Sequence, residues 1–195
     1  MKRIFVYSLV LLAAALSPLA AEPIIFVSNL SGAAEEPPND SPGTGFTRVE
    51  IDPIAHTLRV FAEFDDLLEG TTASHIHLGV PTGGVATTVP TFPDFPLGVT
   101  SGTYDRTFDT LDPTTYNPNF LNNMVNQGNV ATAEATLFSG IQGGIAYLNI
   151  HTTAFPGGEI RGFLAPIPEP STIGLAAGAL IGLALLRRRP ATRSS

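Results

Sequence analysis

The sequence predicts an all-β fold, an antiparallel β-sandwich with one or two short helices in a connection between strands. Apolar and polar residues alternate in several short segments, as they do in strands that bury one face. The 195 residues include 19 glycines and 17 prolines, a content that favours short strands joined by turns. Residues 22–170 contain no lysine, which argues against a helical bundle. A β-barrel is the second choice of fold class.

Eight segments show the strand pattern, bounded in each case by turn residues. The clearest two form a hairpin, because Asp52-Pro53 ends one segment and a turn that contains His56 leads into the next. We expect His56 to be exposed in that turn. The predicted strands are residues 24–30, 46–51, 57–64, 74–78, 85–89, 98–108, 145–151 and 159–164.

Two short helices are predicted between the sixth and seventh strands. The first begins at Asn117-Pro118, where asparagine suits the N-cap and proline the first helical position. Its apolar stripe comprises Phe120, Leu121, Met124 and Val125, and it ends before Gly128. The second helix is predicted over residues 131–139 and is stopped by Gly140.

The N-terminal 21 residues have the form of a secretory signal peptide. Lys2 and Arg3 precede an apolar run over residues 4–16, and small residues follow at Ala20-Ala21. We therefore predict export, with cleavage after Ala21. The absence of cysteine means that no disulfide framework stabilises the exported domain.

The C-terminal segment predicts a short membrane helix over residues 171–186, followed by a cytoplasmic arginine cluster. Sixteen helical residues extend about 24 Å, which is shorter than the roughly 30 Å hydrocarbon core of a bilayer. Small residues recur every fourth position and form one helix face suited to close packing against another membrane helix. That face comprises Gly174, Gly178 and Gly182, and the arginine cluster comprises Arg187, Arg188 and Arg189.

The triplet Pro168-Glu169-Pro170, the short apolar span and the arginine cluster together resemble the PEP-CTERM sorting signal of Gram-negative bacteria. The resemblance implies recognition by an exosortase-type membrane protease that removes the tail, so that inner-membrane anchoring is transient. It also implies an association with exopolysaccharide and biofilm formation. The chain then divides into a signal peptide (1–21), a β-domain (22–167) and a sorting signal (168–195).

The segment between the two signals is strongly acidic. Residues 22–170 hold all 17 acidic residues and only four arginines, a net charge of −13. Such a surface repels nucleic acid and anionic lipid head groups and attracts cations, which excludes nucleic-acid binding.

Two stretches, IHLGVPTGG (76–84) and IHTTAFPGG (150–158), share Ile-His, a proline-containing loop and a glycine pair. Both indicate a hairpin of one design, with glycines at backbone angles that other residues avoid. We expect the two hairpins to be neighbours or pseudo-symmetric partners.

The hairpins bring polar side chains to one face, because side chains two residues apart on a strand point the same way. His75, His77 and His151 are candidate ligands of zinc or copper, since three imidazoles leave a position open to water or substrate. Beside them lies a predicted polar cluster of Asn149, Glu159 and Arg161. The alternative is an exposed polar face with a Glu159–Arg161 ion pair and histidines bonded to backbone. A weaker candidate is a calcium site at Asp65, Asp66 and Glu69.

Four blocks in order resemble the CHRD domain of chordin and of many bacterial secreted proteins. They are LSGAAEEPPNDSPGTG, the strand 58–64, TTASHIHLG and YLNIHTTAFPGGEIRGFL. The resemblance extends over residues 26–164. Members commonly have Gly-Pro soon after HIH, whereas this chain has Leu78-Gly79-Val80-Pro81. The resemblance implies an all-β immunoglobulin-like domain with no established enzymatic activity and no catalytic residues to transfer.

Two functions remain open from the sequence. The first is a non-enzymatic structural or binding module at the cell surface or in the extracellular matrix, with exopolysaccharide or surface proteins as partners. The second is a metal-dependent, redox-active protein in which His75, His77 and His151 hold copper or zinc. No P-loop, nucleophile elbow or dinucleotide fingerprint is present to indicate an enzyme of those classes.

Overall fold

The computed structural model describes residues 22–167. The predicted signal peptide, the PEP-CTERM triplet, the membrane segment with its glycine face and the arginine cluster lie outside the described residues. Among residues 22–167, no helix has both the length and the apolar character needed to cross a bilayer.

Nine strands and two α-helices make up the described domain. The strands are β1 (Ile24–Ser31), β2 (Thr44–Asp52), β3 (Thr57–Asp65), β4 (Thr71–Leu78), β5 (Gly84–Val85), β6 (Gly102–Asp109), β7 (Ala146–Thr152), β8 (Ile160–Phe163) and β9 (Ala165–Pro166). The α-helices are α1 (Pro118–Leu121) and α2 (Val130–Gln142), and short 3₁₀ helices occur at Gly32–Ala34 and Pro113–Thr115.

The strands form one antiparallel sheet with the order β5-β4-β7-β8-β1-β2-β3-β6, and β9 pairs with β1. The sheet curls, so that a half containing β4, β7 and β8 and a half containing β1, β2, β3 and β6 enclose one core. Strand β1 joins the halves, since it pairs along its whole length with β2 and touches β8 through Ser31 and Arg161. The predicted all-β antiparallel fold is confirmed.

The core lies between the two halves and is filled from both. Strands β2 and β3 contribute one face each, including Val49 and Val60, which are fully buried. Strands β4 and β7 contribute Ile76 and Ile150, also fully buried. Burial of side chains of this size stabilises the fold by about 1.5–3 kcal/mol each. The isoleucines of the two Ile-His pairs therefore face the core, as predicted.

Both predicted helices exist, but their bounds differ. Helix α1 is a single turn, and the predicted apolar stripe is wrong at its second half, because Met124 is 91% exposed and Val125 65% exposed. Helix α2 does not stop at Gly140 but continues to Gln142. Gly140 is needed for close approach, since a Cβ there would lie 2.4 Å from the Leu78 side chain.

The segment between β4 and β6 is less regular than predicted. The strand expected over residues 85–89 is only Gly84–Val85, and the strand expected from residue 98 begins at Gly102.

His56 is only partly exposed, because its Nδ1 lies 3.0 Å from the carboxylate of Glu134 on α2. The turn histidine is thus exposed in part, with 41% of its side-chain surface accessible.

Candidate metal centre

The two hairpins of similar sequence are neighbours in the sheet, as predicted. Strands β4 and β7 pair antiparallel, with β5 on the outer side of β4 and β8 on the outer side of β7. In this register His75 lies opposite Asn149, and His151 lies opposite Ala73. The arrangement β5-β4-β7-β8 therefore has approximate two-fold symmetry, which relates the Ile-His pair of one hairpin to that of the other.

The three candidate histidines come together on the face of the sheet opposite the core. Their ring centroids are 5.2 Å apart for His75 and His151, 5.7 Å for His75 and His77, and 5.9 Å for His77 and His151. All three are buried, with exposed fractions of 6–9%. The alternative is therefore wrong about exposure, because loops cover this side of β4 and β7, but the backbone hydrogen bonds that it predicted for the histidines are present.

Each imidazole bonds one backbone carbonyl from a covering loop. His75 Nε2 lies 2.7 Å from the Pro90 oxygen, His77 Nδ1 lies 3.0 Å from the Gly83 oxygen, and His151 Nδ1 lies 3.0 Å from the Pro156 oxygen. A carbonyl can only accept, so these nitrogens carry the ring proton and donate it. The opposite nitrogen of each ring is left with a free lone pair, which is the form that binds a metal.

Those opposite nitrogens have no partner. His75 Nδ1, His77 Nε2 and His151 Nε2 are buried, and none makes a hydrogen bond. The three histidines each offer a ring nitrogen within 4.8 Å of the others. Three nitrogens at about 2.1 Å from one ion are separated by roughly 3.4–3.6 Å. Nitrogens 4.8 Å apart would therefore have to approach by roughly 1.2–1.4 Å to share an ion.

Burial keeps the three rings neutral. Loss of hydration lowers the pKa of His75 and of His77 below the usual value, and it lowers the pKa of His151 to about 4. The hydrogen bonds to Pro90, Gly83 and Pro156 act in the opposite direction but are weaker. At neutral pH the cluster therefore presents three unprotonated ligand nitrogens.

Aromatic and cationic side chains border the cluster on the β8 side. Tyr147 stacks on His77 with ring centroids 4.9 Å apart, and its hydroxyl accepts a hydrogen bond from the Gly83 amide. The Arg161 guanidinium lies 4.9 Å from the Tyr147 ring centroid. Tyr147 thus supports both His77 and the loop whose carbonyl orients it.

The predicted polar cluster is only partly correct. Asn149 and Arg161 lie beside the histidines in register across β7 and β8. The Glu159–Arg161 ion pair that belonged to the alternative is not formed, since Arg161 Nε lies 3.7 Å from Glu35. The Glu159 carboxylate instead binds Ser41, Leu68 and Thr152.

Glu35 and Tyr147 were not identified from the sequence. Burial raises the pKa of Glu35 to about 7, although the charge of Arg161 opposes the shift. Nothing in the spacing of the Glu35-Glu36-Pro37-Pro38 loop indicates that it folds onto β8. Tyr147 could have been identified from the sequence, because it lies two residues before Asn149 on the same strand and therefore on the same face of the sheet.

The weaker calcium candidate is not supported. Within residues 22–167, the three histidines are the one group of three or more ligand-type side chains close enough to share an ion. Asp65, Asp66 and Glu69 are exposed and do not form such a group.

Two family models match the chain. The CHRD domain matches residues 26–164, and the PEP-CTERM protein-sorting motif matches residues 166–189. No curated protein matches it. The sorting motif implies recognition by an exosortase-type membrane protein and export to the cell envelope or surface. The CHRD match contains every strand of both histidine hairpins and most of the described domain. The chain therefore belongs to the CHRD domain family.

Proposed function

We propose that this exported domain binds one copper or zinc ion through His75, His77 and His151. A single observation carries the proposal: three buried imidazoles, each with its proton donated to a loop carbonyl, converge with their remaining nitrogens unpartnered. Imidazole nitrogens suit zinc and copper, whereas calcium and magnesium prefer oxygen.

A purely structural role explains this arrangement less well. A buried polar atom without a partner costs about 1–3 kcal/mol, and three of the five such atoms among the described residues are the ring nitrogens of this cluster, the others being Glu35 Oε1 and Asn149 Oδ1. A structural histidine would need only its carbonyl bond, and its other nitrogen could face solvent or a donor. A shared ion satisfies all three nitrogens at once.

The proposal predicts one equivalent of metal per chain. The full-length protein is purified, loaded in separate samples with excess zinc, divalent copper or, without oxygen, monovalent copper, and then desalted and subjected to elemental analysis. Wild type is expected to retain about one equivalent, and binding at 100 times the Kd would raise the free energy of unfolding by about 2.7 kcal/mol. His77→Gln and His151→Gln, which keep the size of the side chain, are expected to retain almost none.

His56→Gln is the matched control, because His56 is the remaining histidine and bonds Glu134 away from the cluster. It is expected to retain metal as wild type does. Equal retention by wild type and His77→Gln, or no retention by wild type after loading, would show that the cluster binds no metal.

We further propose that the domain acts without enzymatic activity at the cell surface or in the extracellular matrix, with polysaccharide or surface proteins as partners. A groove between α2 and the β4–β5 hairpin supports a polysaccharide partner. Its lining has no charged side chain, although the domain is strongly acidic. Amides, hydroxyls and one aromatic ring contribute to it, namely Asn117, Asn119, Asn123, Thr132, Thr136, Ser139 and Phe120. That chemistry fits an uncharged glycan.

The groove is tested with Asn119→Ala combined with Ser139→Ala. Both residues are exposed lining residues, so the double variant should keep its fold while losing hydrogen bonds to a sugar. Affinity for a neutral polysaccharide is expected to fall by roughly tenfold or more, as two lost hydrogen bonds imply. Gln142→Ala, at an exposed position of α2 outside the groove, is the control. Unchanged affinity of the double variant would exclude the groove as the glycan site.

A further inference from the structure

We infer that the three-histidine site selects monovalent copper, held by three imidazole nitrogens without a fourth ligand, over zinc and divalent copper. The inference deepens the proposed metal-binding function and rests on it. Three observations support it: the ligand nitrogens are neutral, they are not accessible to solvent, and the charged side chains beside them supply no free anion.

The donor set has no negative charge. The chain contains no cysteine, and no carboxylate belongs to the cluster among the described residues. Each ring donates its proton to a neutral carbonyl rather than to a carboxylate, so none gains anionic character from its hydrogen-bond partner. A bound ion therefore keeps its full charge.

The two buried carboxylates on the β8 side lie outside the ligand group. Glu159 accepts bonds from the Leu68 amide at 2.7 Å and from the Ser41 hydroxyl at 2.5 Å. Glu35 Oε2 lies 3.7 Å from Arg161 Nε, and its Oε1 has no hydrogen-bond partner. Neither carboxylate is among the side chains close enough to share an ion with the histidines.

No anion beside the cluster is left to compensate a doubly charged ion. Arg161 is only 3% exposed and lies 4.9 Å from the ring of Tyr147, which stacks on His77, and its positive charge offsets that of Glu35. The cost of burying an ion rises with the square of its charge, so a divalent ion costs about four times as much as a monovalent one. A divalent ion in this site would have to bring an anion with it.

The site has no open side for such an anion. Each unpartnered nitrogen exposes less than 1 Å² to solvent. Zinc in proteins is almost always four-coordinate, and divalent copper prefers a tetragonal ligand set. Monovalent copper is stable with three ligands in a plane. Three buried nitrogens and no solvent access thus match the coordination number of monovalent copper.

The test compares three ions on the full-length protein. Monovalent copper is supplied without oxygen from a coloured chelator, and Zn²⁺ and Cu²⁺ are titrated separately. We expect one equivalent of monovalent copper to bind, with an affinity roughly 100-fold or more above that of either divalent ion. X-ray absorption at the copper edge is expected to show three nitrogen neighbours at about 2.0 Å and no fourth ligand.

Histidine variants show where the ion binds. A second variant is available in case the first one does not fold. His77→Gln is expected to lose monovalent copper, and His56→Gln to retain it. Near-ultraviolet circular dichroism of each metal-free variant shows whether it is folded, and His151→Gln replaces His77→Gln if the latter is not.

The possible outcomes distinguish the selectivity for monovalent copper from metal binding itself. Tighter binding of Zn²⁺ or Cu²⁺ than of monovalent copper, or a fourth ligand in the absorption spectrum, overturns the inference and leaves the metal-binding function intact. Failure of all three ions to bind overturns both.

Discussion

Glu159→Ala is expected to lower the free energy of unfolding by about 3–5 kcal/mol, because each buried donor left without an acceptor costs about 1–3 kcal/mol. Glu159 is fully buried, and its carboxylate accepts bonds from Ser41 Oγ at 2.5 Å, the Leu68 amide at 2.7 Å and Thr152 Oγ1 at 2.5 Å. These donors belong to three separate segments, so alanine would leave three donors unpaired. Urea unfolding followed by circular dichroism measures the loss.

Two further variants isolate the cause. Glu159→Gln keeps the shape and one acceptor oxygen, so an intermediate loss of about 1–2 kcal/mol is expected. Glu63→Ala removes an exposed glutamate from β3 and should change stability by no more than about 0.5 kcal/mol. Equal urea midpoints for Glu159→Ala and Glu63→Ala would show that the carboxylate does not connect the three segments.

Strands with one buried and one solvent-facing side could be predicted closely from the sequence. In β2, buried Thr47, Val49 and Ile51 alternate with less buried Arg48 and Glu50, and the predicted segment lies within two residues of the observed one at each end. Alternation is informative here because a single face packs on the core.

The alternation of apolar and polar residues was less informative for a strand whose two faces are both covered. All seven residues of β7 are buried, although they include Asn149 and His151. The predicted apolar stripe of α1 failed for a related reason. Met124 and Val125 have the right spacing for a helix, but the helix ends at Leu121 and leaves them in solvent. Tertiary context overrode local preference at both places.

The sequence predicted which three histidines form the candidate site. It did not predict that they are buried or which of their ring nitrogens carry the proton. A strand period of two places His75 and His77 together, and the shared Ile-His motif predicted that His151 lies on a neighbouring strand. The covering loops are local, since Gly83 and Pro156 lie in the proline-containing loops that the sequence indicated and Pro90 lies 15 residues after His75. What the pattern did not show is that these loops fold back over the histidines with their carbonyls against the rings. Burial, tautomer and charge of the site follow from those loops.

Gly158→Ala is expected to destabilise the protein by about 3 kcal/mol or more and to weaken metal binding. The residue has a φ of 132°, which an L side chain rarely adopts, and a Cβ there would lie 2.4 Å from Asn149 Nδ2 and 2.8 Å from Glu35 Oε1. The same loop contains Pro156, whose carbonyl orients His151. Thermal unfolding and metal titration of the variant measure both effects.

The adjacent glycine is the control, since Gly157 has an ordinary φ and a Cβ there would meet nothing within 4 Å. Gly157→Ala is expected to be neutral or stabilising by about 0.4–1 kcal/mol through the unfolded chain. In the β4–β5 hairpin the first glycine of the pair, not the second, is the restricted one. A Cβ on Gly83 would lie 1.8 Å from the Leu78 oxygen, whereas a Cβ on Gly84 would meet nothing within 4 Å. Gly83→Ala should therefore lower the stability of the protein, and Gly84→Ala should leave it unchanged. Equal effects within either pair would mean that the loops are not held in the conformation that orients His77 and His151.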